Sequence, residues 1–443
     1  MPTGPDPLEA VLDGAARPAS RLARARYRRI TRFAMRAMLQ AGWFEIALPK
    51  VGLGTLAARG RVARLRRLAR RFHGLAIELG GLMIKVGQFM SSRLDVLPPE
   101  ITDELEGLQD EVPSVPFAVI KALAEAELGF PLERAFASFD PVPIAAASLG
   151  QAHRATLTPA FAAESGVETV VVKVQRPGID EIVAVDLLAL RKVGVWLSRV
   201  KLVSKRVDAP ALVEEFAATS LQEIDYLHEG ASAERFADDF AALPDGAGDR
   251  ILVPDVIWER TTRRVLTLTD VTAIKVNDVE SLVAAGIDPK AVADELARAT
   301  FQQVFVSGFF HADPHPGNLF VTPRAAPDGS PDFAPTFIDF GTMGELSPEL
   351  RAGLRETIIA AVARDGKGLV TAMHRLGVLL PSANTGELET AMTELFSRFG
   401  GMGISELQTV DPRELEDFAH RFRDTIRELP FQLPENFLLL IRT

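Results

Sequence analysis

Two short segments in the last third of the chain carry the residues best suited to chemistry. Residues 311–318 read HADPHPGN, and residues 337–341 read FIDFG after a strand-like apolar run. Phosphoryl transfer needs a carboxylate near the acceptor hydroxyl or water, and it needs hard oxygen ligands for Mg²⁺. The spacing therefore predicts Asp313 as the catalytic aspartate and Asn318 and Asp339 as the magnesium ligands.

The first segment has two other interpretations. It could be a surface loop, or His311, Asp313 and His315 could bind zinc. His311 and His315 stand four residues apart, but not in the helical pattern from which a His-x-x-x-His pair commonly binds zinc. The order of the two segments, each flanked by strand-like patterns, favours phosphoryl transfer.

A cation for nucleotide phosphates is expected upstream. Lys173 lies in the β-branched run VVVKV, which matches the strand lysine that contacts nucleotide phosphates in kinases. Such a lysine needs a carboxylate to orient it, and Glu223 and Glu229 lie in a following acidic helical pattern. Both carboxylates are candidates on the pattern alone.

An alanine-rich segment stands where a protein kinase would carry its glycine-rich loop. Small side chains still let the backbone approach phosphates, but alanine restricts the positive φ angles that glycine permits. We therefore expect a stiffer phosphate loop. Its predicted nucleotide-binding residues are Ala145, Ala146, Ala147, Ser148, Leu149, Gly150 and Gln151.

Together these motifs resemble the UbiB-type atypical kinase family, whose quinone-biosynthesis members act on ubiquinone. Two further family motifs are present, Lys85-Val86-Gly87-Gln88 and Glu223-Ile224-Asp225. The resemblance covers roughly residues 75–443. It implies that Lys173 binds the phosphates of ATP and pairs with Glu223, and that Lys85 and Gln88 contact the Glu-x-Asp motif or the nucleotide. The segment that carries Lys85 would then cover the site where a protein substrate would lie.

Composition and charge narrow the function further. The 443 residues include no cysteine, which excludes disulfides, thiolate metal sites and a cysteine nucleophile. Residues 1–75 carry a charge of +12, whereas the whole chain carries −10. A basic arm on an acidic body predicts that the arm contacts phosphates, either the headgroups of an anionic membrane surface or nucleic acid. The acidic body argues against a nucleic-acid-binding protein as a whole. A solvated helix face is the alternative explanation of the basic arm.

The hydrophobic pattern predicts helices over residues 75–128, 180–200, 208–240, 289–307 and 347–443. It predicts strands over residues 144–157, 167–175, 251–256, 264–269, 319–321 and 336–338, with a turn-rich loop over 322–335. No secretory signal and no membrane-spanning run is visible. Residues 437–441 open an apolar helix two residues before the end, so we expect that the natural domain continues there.

These observations predict an α+β, two-lobed protein-kinase-like fold with an N-terminal helical extension and a helical C-lobe. The expected segments are a basic arm (1–74), an extension with the Lys-x-Gly-Gln motif (75–140), an N-lobe (141–272) and a C-lobe (273–443). The predicted function is ATP- and Mg²⁺-dependent hydrolysis or phosphoryl transfer, and the UbiB-type resemblance implies that it supports isoprenoid-quinone or lipid metabolism. The expected location is cytoplasmic, peripheral to the inner face of the membrane, and a homodimer is left open.

Two rival functions remain at this stage. One is a small-molecule phosphotransferase of the aminoglycoside or choline kinase type, which shares the Asp313 and Asp339 segments but lacks the Lys-x-Gly-Gln and alanine-rich motifs. The other is a non-catalytic lipid-binding protein that uses nucleotide as a switch. The intact Asp313, Asn318 and Asp339 count against the second.

Overall fold

The chain folds into two compact units. The computed structural model describes residues 20–91, 98–105, 113–200, 204, 208–243, 250–325, 331–379, 385–399 and 440. The first unit comprises Met1–Arg235, Val253–Thr272 and Asp339–Gly341, and the second comprises Phe236–Leu252, Ala273–Ile338 and Thr342–Thr443. The predicted segment boundaries at 74/75, 140/141 and 272/273 stay predictions.

The described residues form helices and antiparallel strands, which confirms the α+β class. The helices are α1 (Arg21–Ala41), α2 (Leu48–Lys50), α3 (Gly54–Ala58), α4 (Arg61–Leu79), α5 (Leu82–Ser91), α6 (Pro99–Leu105), α7 (Phe117–Leu128), α8 (Leu132–Ala135), α9 (Pro159–Ser165), α10 (Ile179–Ser198), α11 (Ala209–Glu223), α12 (Tyr226–Ala241), α13 (Val279–Ala284), α14 (Pro289–Gln302), α15 (Pro348–Val362), α16 (Gly366–Arg375) and α17 (Thr385–Phe399). The strands are β1 (Phe136–Phe139), β2 (Ala145–Ala146), β3 (Gly150–Leu157), β4 (Thr169–Gln175), β5 (Val265–Thr269), β6 (Ile274–Lys275), β7 (Phe309–His311), β8 (Leu319–Ala325), β9 (Pro331–Phe337) and β10 (Met343–Glu345).

The basic N-terminal segment is anchored in the first unit through α1. Ser20 caps this helix by accepting a hydrogen bond from the Ala23 N–H at 3.0 Å. Ile30 of α1 is buried in the main apolar cluster of the unit. Arg26 pairs with Asp186 of α10, with both N···O distances at 2.6 Å, and the Asp186 side chain is fully buried. One face of this predicted arm is therefore part of the core.

The sheet of the first unit positions Lys173. Its strand order is β1-β3-β4-β5, with β2 paired to β3, and every pairing is antiparallel. Val172 and Val174 of β4 are fully buried in an apolar cluster. Because successive side chains on a strand point to opposite faces, Lys173 leaves the sheet on the other face.

In the second unit the predicted loop over 322–335 is wrong in part, because the strands continue through it. β8 and β9 pair from Leu319 opposite Phe337 to Ala325 opposite Pro331. Pro323 lies in an edge position: β6 pairs with β8 only at residues 320–321, so β8 has one neighbour at Pro323. Proline is tolerated at such edges because it lacks an N–H to donate.

Two other expectations change in detail. The predicted strand 251–256 is reduced to isolated bridges at Leu252 and Val256. The predicted helix 208–240 is two helices, α11 and α12, separated at residues 224–225. In the C-terminal part, α15, α16 and α17 confirm the predicted helices. The apolar run 437–441, except Leu440, lies outside the described residues. Within the described part of the chain, no helix combines the length and apolarity needed to cross a bilayer.

Candidate functional site

Three charged side chains meet on the open face of the first unit's sheet. The Lys173 Nζ lies 2.5 Å from the Glu229 Oε1 and 3.5 Å from the Asp339 Oδ2. The Glu229 side chain is 5% exposed, that of Lys173 is 17% exposed, and that of Asp339 is 44% exposed. The two more buried side chains thus pair with each other, while the Asp339 carboxylate is accessible to a ligand.

The surroundings raise the pKa of both Lys173 and Glu229, so the lysine stays protonated and the glutamate holds its proton more tightly than usual. Burial lowers the pKa of Lys173, but the nearby Asp339 and Glu229 carboxylates raise it by more, so its pKa lies above the usual value. Burial raises the pKa of Glu229 to about 7; Lys173 opposes this and Asp339 adds to it. A fixed ammonium beside a solvent-accessible carboxylate suits a phosphate and its metal ion.

Glu229, rather than Glu223, is the carboxylate paired with Lys173, which corrects the pairing implied by the family resemblance. The reason is the break between α11 and α12. Asp225 accepts a hydrogen bond from the Leu227 N–H at 3.1 Å where α12 begins, and Glu229 lies in the first turn of this helix. Glu223 ends α11 and instead pairs with Lys85, at 2.6 Å.

The Lys85–Glu223 ion pair attaches the extension helix α5 to the Glu-x-Asp motif. Both side chains are 19% exposed. Leu82, Met83 and Val86 of α5 are buried in the main apolar cluster, so Lys85 is held in place by the helix that carries it. Gln88 follows one turn later and is half-buried. This is the contact between Lys85 and the Glu-x-Asp motif that the resemblance implied.

The alanine-rich segment forms a tight turn between β2 and β3. The Ala147 N–H donates to the Gly150 carbonyl at 2.8 Å and closes the turn. Among the described residues, no protein acceptor takes the N–H of Ser148 or Leu149. Backbone N–H groups presented in a turn are common phosphate donors. The geometry is compatible with the predicted phosphate loop.

Gly150 leaves no room for a side chain. A Cβ atom there would lie 2.4 Å from the Tyr226 hydroxyl oxygen and 2.9 Å from the Val174 carbonyl oxygen. Tyr226 is itself buried, and burial raises the pKa of its hydroxyl above the usual value. Sequence reasoning missed Tyr226, although it directly follows the Glu-x-Asp motif.

In the second unit, the loop after β7 brings Asp313 and Asn318 together. The Asp313 N–H donates to the His311 Nδ1 at 3.2 Å, and the His315 N–H donates to the Asp313 carbonyl at 2.8 Å. The Asn318 Nδ2 donates to the same carbonyl at 3.2 Å. Because the nitrogen of the amide is used for this bond, its Oδ1 is the atom offered to a metal.

Hard oxygen donors of the kind that Mg²⁺ prefers occur in each of the two units. Among the described residues, no cluster of three or more His, Asp and Glu side chains is placed to hold a metal ion. Magnesium in nucleotide sites usually takes one or two carboxylates and completes its shell with phosphate oxygens and water. Asp339 and the Asn318 amide supply hard oxygens of that kind. Their joint use in one site is part of the proposal below.

Comparison with known proteins places these motifs in a family. The ABC1 atypical kinase-like domain matches residues 107–373. A Xanthomonas axonopodis protein described as a probable protein kinase UbiB is 35% identical over 404 residues, covering 88% of this chain and 67% of its own. The Arabidopsis thaliana chloroplastic protein ACTIVITY OF BC1 COMPLEX KINASE 8 is 40% identical over 384 residues, covering 86% of this chain and 46% of its own.

The chain spans about half the length of several curated relatives that it matches. A Mycobacterium tuberculosis protein solved in complex with erythromycin has 26% sequence identity and a TM-score of 0.47, with 74% of this chain and 78% of that chain covered. The domain match covers more than half of the 443 residues and contains the alanine-rich turn, Lys173, Glu229 and the Asp313 and Asp339 segments. The chain therefore has a kinase-like fold and belongs to the ABC1 atypical kinase-like family, as its UbiB-type motifs predicted.

Proposed function

We propose that this chain binds ATP with Mg²⁺ and hydrolyses it or transfers its terminal phosphoryl group. The buried Lys173–Glu229 pair beside the accessible Asp339 carboxylate carries this proposal. Lys173 would hold the nucleotide phosphates, and Asp339 and Asn318 would bind Mg²⁺. The metal ion would neutralise charge on the phosphates. Asp313 would accept the proton of the attacking hydroxyl or water.

The alanine-rich turn and Lys85 support a restrained site. The turn offers the N–H groups of Ser148 and Leu149 but has alanines where glycine would allow more backbone freedom. The Lys85–Glu223 pair holds α5 against the Glu-x-Asp motif. We therefore expect slow hydrolysis of ATP and no transfer to generic protein substrates.

Asp313→Asn tests the chemistry separately from binding. The amide keeps the size of the side chain but accepts no proton, so ATP turnover should fall by about 10²-fold or more while the affinity for Mg²⁺–ATP stays near that of the unmodified chain. Asp332→Asn, on the exposed end of β9, is the control. Equal turnover by Asp313→Asn and the control would contradict the assignment of Asp313.

The same preparation separates the rival functions. A small-molecule phosphotransferase would label an aminoglycoside or choline from radiolabelled ATP and show little hydrolysis without it. A nucleotide-switched binding protein would bind ATP with no turnover at all. Hydrolysis that rises with quinone-like phenols supports the quinone-linked role that the UbiB resemblance suggests.

The basic face of the N-terminal region supports a site at an anionic membrane surface. A groove of about 790 Å³ lies along α1 and α4, with Phe33, Leu68 and Leu75 among its apolar lining. Its cationic lining residues are Arg28, Arg29, Arg32, Arg36 and Arg71. Among the described residues, no carboxylate lines the groove, although Arg29 pairs with Glu78. Exposed Leu39 and Trp43 continue the apolar character of α1 and its C-terminal end.

This surface can be tested without removing α1, whose Ile30 belongs to the core. Replacing Arg28, Arg32 and Arg36 together by Gln removes three charges, each worth about 1 kcal/mol near an anionic bilayer. Co-sedimentation with phosphatidylglycerol vesicles at low salt should fall sharply, while thermal stability is unchanged. Undiminished co-sedimentation would contradict the membrane proposal. The membrane, the quinone-like lipid and a homodimer are proposals independent of the ATP site.

A further inference from the structure

Arg176 connects the alanine-rich turn to a distant stretch of chain. Its Nε donates to the Ala147 carbonyl at 2.8 Å, and its backbone N–H donates to the Leu149 carbonyl at 2.9 Å. The Nη2 of the same guanidinium donates to the Pro113 carbonyl at 2.9 Å. One side chain therefore bridges the turn and residues 113–116, which we call the connecting segment.

Gln151 makes a second link to the connecting segment. Its Oε1 accepts the Val115 N–H at 2.8 Å, and its Nε2 lies 3.4 Å from the Val115 carbonyl. The same Nε2 is 2.9 Å from the His153 Nε2, and Gln151 is 3% exposed. The sequence predicted that Gln151 binds nucleotide, but both ends of its amide are engaged by protein groups.

The Arg176 contact also sets the direction of a backbone donor. The Ala147 carbonyl and the Ser148 N–H belong to one peptide unit, which is planar and trans. Fixing the carbonyl on Arg176 therefore fixes the Ser148 N–H on the opposite side. This N–H is one of the two turn donors that no described protein acceptor takes.

The connecting segment belongs to the predicted extension (75–140), which also carries Lys85. That extension is attached to the Glu-x-Asp motif through the Lys85–Glu223 pair. Pro113 and Pro116 fix two backbone φ angles in the segment, which makes it stiff. Movement of the connecting segment would therefore act on Arg176 and Gln151, which bind it directly.

We propose that Arg176 and Gln151 are positioning residues that couple the connecting segment to the alanine-rich turn. Neither side chain needs to touch the nucleotide. Arg176 orients the Ser148 N–H toward a phosphate, and Gln151 holds the segment on which Arg176 depends. The nucleotide part of this inference rests on the proposed function, whereas the coupling between segment and turn does not.

The test measures Mg²⁺–ATP affinity by titration of the full chain. Arg176→Ala should raise the dissociation constant about tenfold, which corresponds to about 1.4 kcal/mol. Arg176→Lys should give an intermediate value, because an ammonium group can reach one carbonyl but not both. Gln151→Ala should also raise it, although its side chain contacts no carbonyl of the turn. The matched control is Arg154→Ala, which removes an exposed arginine of the same sheet that pairs with Asp270 at 3.2 Å.

Hydrogen exchange supplies a readout that needs no nucleotide. In Arg176→Ala, peptides covering residues 113–118 and 145–152 should both exchange faster, and in Arg154→Ala neither should. Faster exchange in only one of the two peptides would overturn the coupling. Unchanged affinity in folded Arg176→Ala and Arg176→Lys would overturn the positioning role. Absence of ATP binding by the unmodified chain would refute the proposed function, and the exchange result would still decide the coupling.

Discussion

Lys173→Met should destabilise the chain mainly by stranding the carboxyl of Glu229. That carboxyl is 5% exposed and lies 2.5 Å from the Lys173 ammonium. Removing one partner of a buried ion pair typically costs about 3–5 kcal/mol, because the remaining charge has neither water nor counter-charge. The second substitution Glu229→Gln should recover most of this loss, since it removes the stranded charge.

The stability lost in Lys173→Met should be larger at high pH than at low pH. Burial raises the folded-state pKa of Glu229 from 4.5 to about 7, so the folded form holds its proton more tightly than the unfolded chain. The contribution of Glu229 to the free energy of unfolding therefore falls as the pH rises from 4.5 through about 7. Without Lys173 the fall continues beyond pH 7. At about 1.4 kcal/mol per pH unit, Lys173→Met should cost about 1 kcal/mol more at pH 8 than at pH 6.

Urea unfolding of the nucleotide-free chain at both pH values measures these differences. Arg191→Met is the control, because Arg191 pairs at 2.8 Å with Glu214, which is 56% exposed. Losing an ion pair whose partner is so exposed should lower the free energy of unfolding by less than about 1 kcal/mol. The reasoning is refuted if Lys173→Met costs no more than Arg191→Met, or if Glu229→Gln rescues nothing.

Three further predictions concern single contacts. Gly150→Ala should destabilise the chain by about 1–3 kcal/mol in urea unfolding, because the added methyl group overlaps the Tyr226 hydroxyl. Adding Tyr226→Phe should return part of that loss. If the effects of the two substitutions are simply additive, the overlap is not the cause. Arg26→Met should cost about 3–5 kcal/mol because the fully buried Asp186 loses its partner, and a loss below about 1 kcal/mol would show that α1 is not anchored there. Lys85→Ala should increase transfer of radiolabel from ATP to a generic protein substrate, whereas unchanged labelling would mean that the extension does not restrain transfer.

The motifs were readable from the sequence because each depends on local order. β4 alternates buried valines with Lys173, and the Asp313 loop closes through hydrogen bonds among residues 311–318. The pattern thus predicted both the strand lysine and the close placement of Asp313 and Asn318. Neither needs knowledge of distant contacts.

The partner of Lys173 could not be read in the same way. Glu223 and Glu229 both fall in an acidic helical pattern that periodicity treats as one helix. The break at residues 224–225 changes which glutamate reaches the sheet, and it depends on the capping contact of Asp225. The role of Gln151 depends on Val115, 36 residues away. No periodic pattern carries that contact.

Thermal stabilisation by ATP tests the central claim most directly, with the unmodified chain and Asp339→Asn each measured in Mg²⁺ and in a chelator. Losing a hard anionic ligand should weaken Mg²⁺–ATP binding sharply. The unmodified chain should therefore be stabilised by ATP in Mg²⁺ and much less in the chelator, and Asp339→Asn should lose the Mg²⁺-dependent part. Full Mg²⁺-dependent stabilisation of Asp339→Asn would contradict the claim that Asp339 brings the metal and the nucleotide to Lys173.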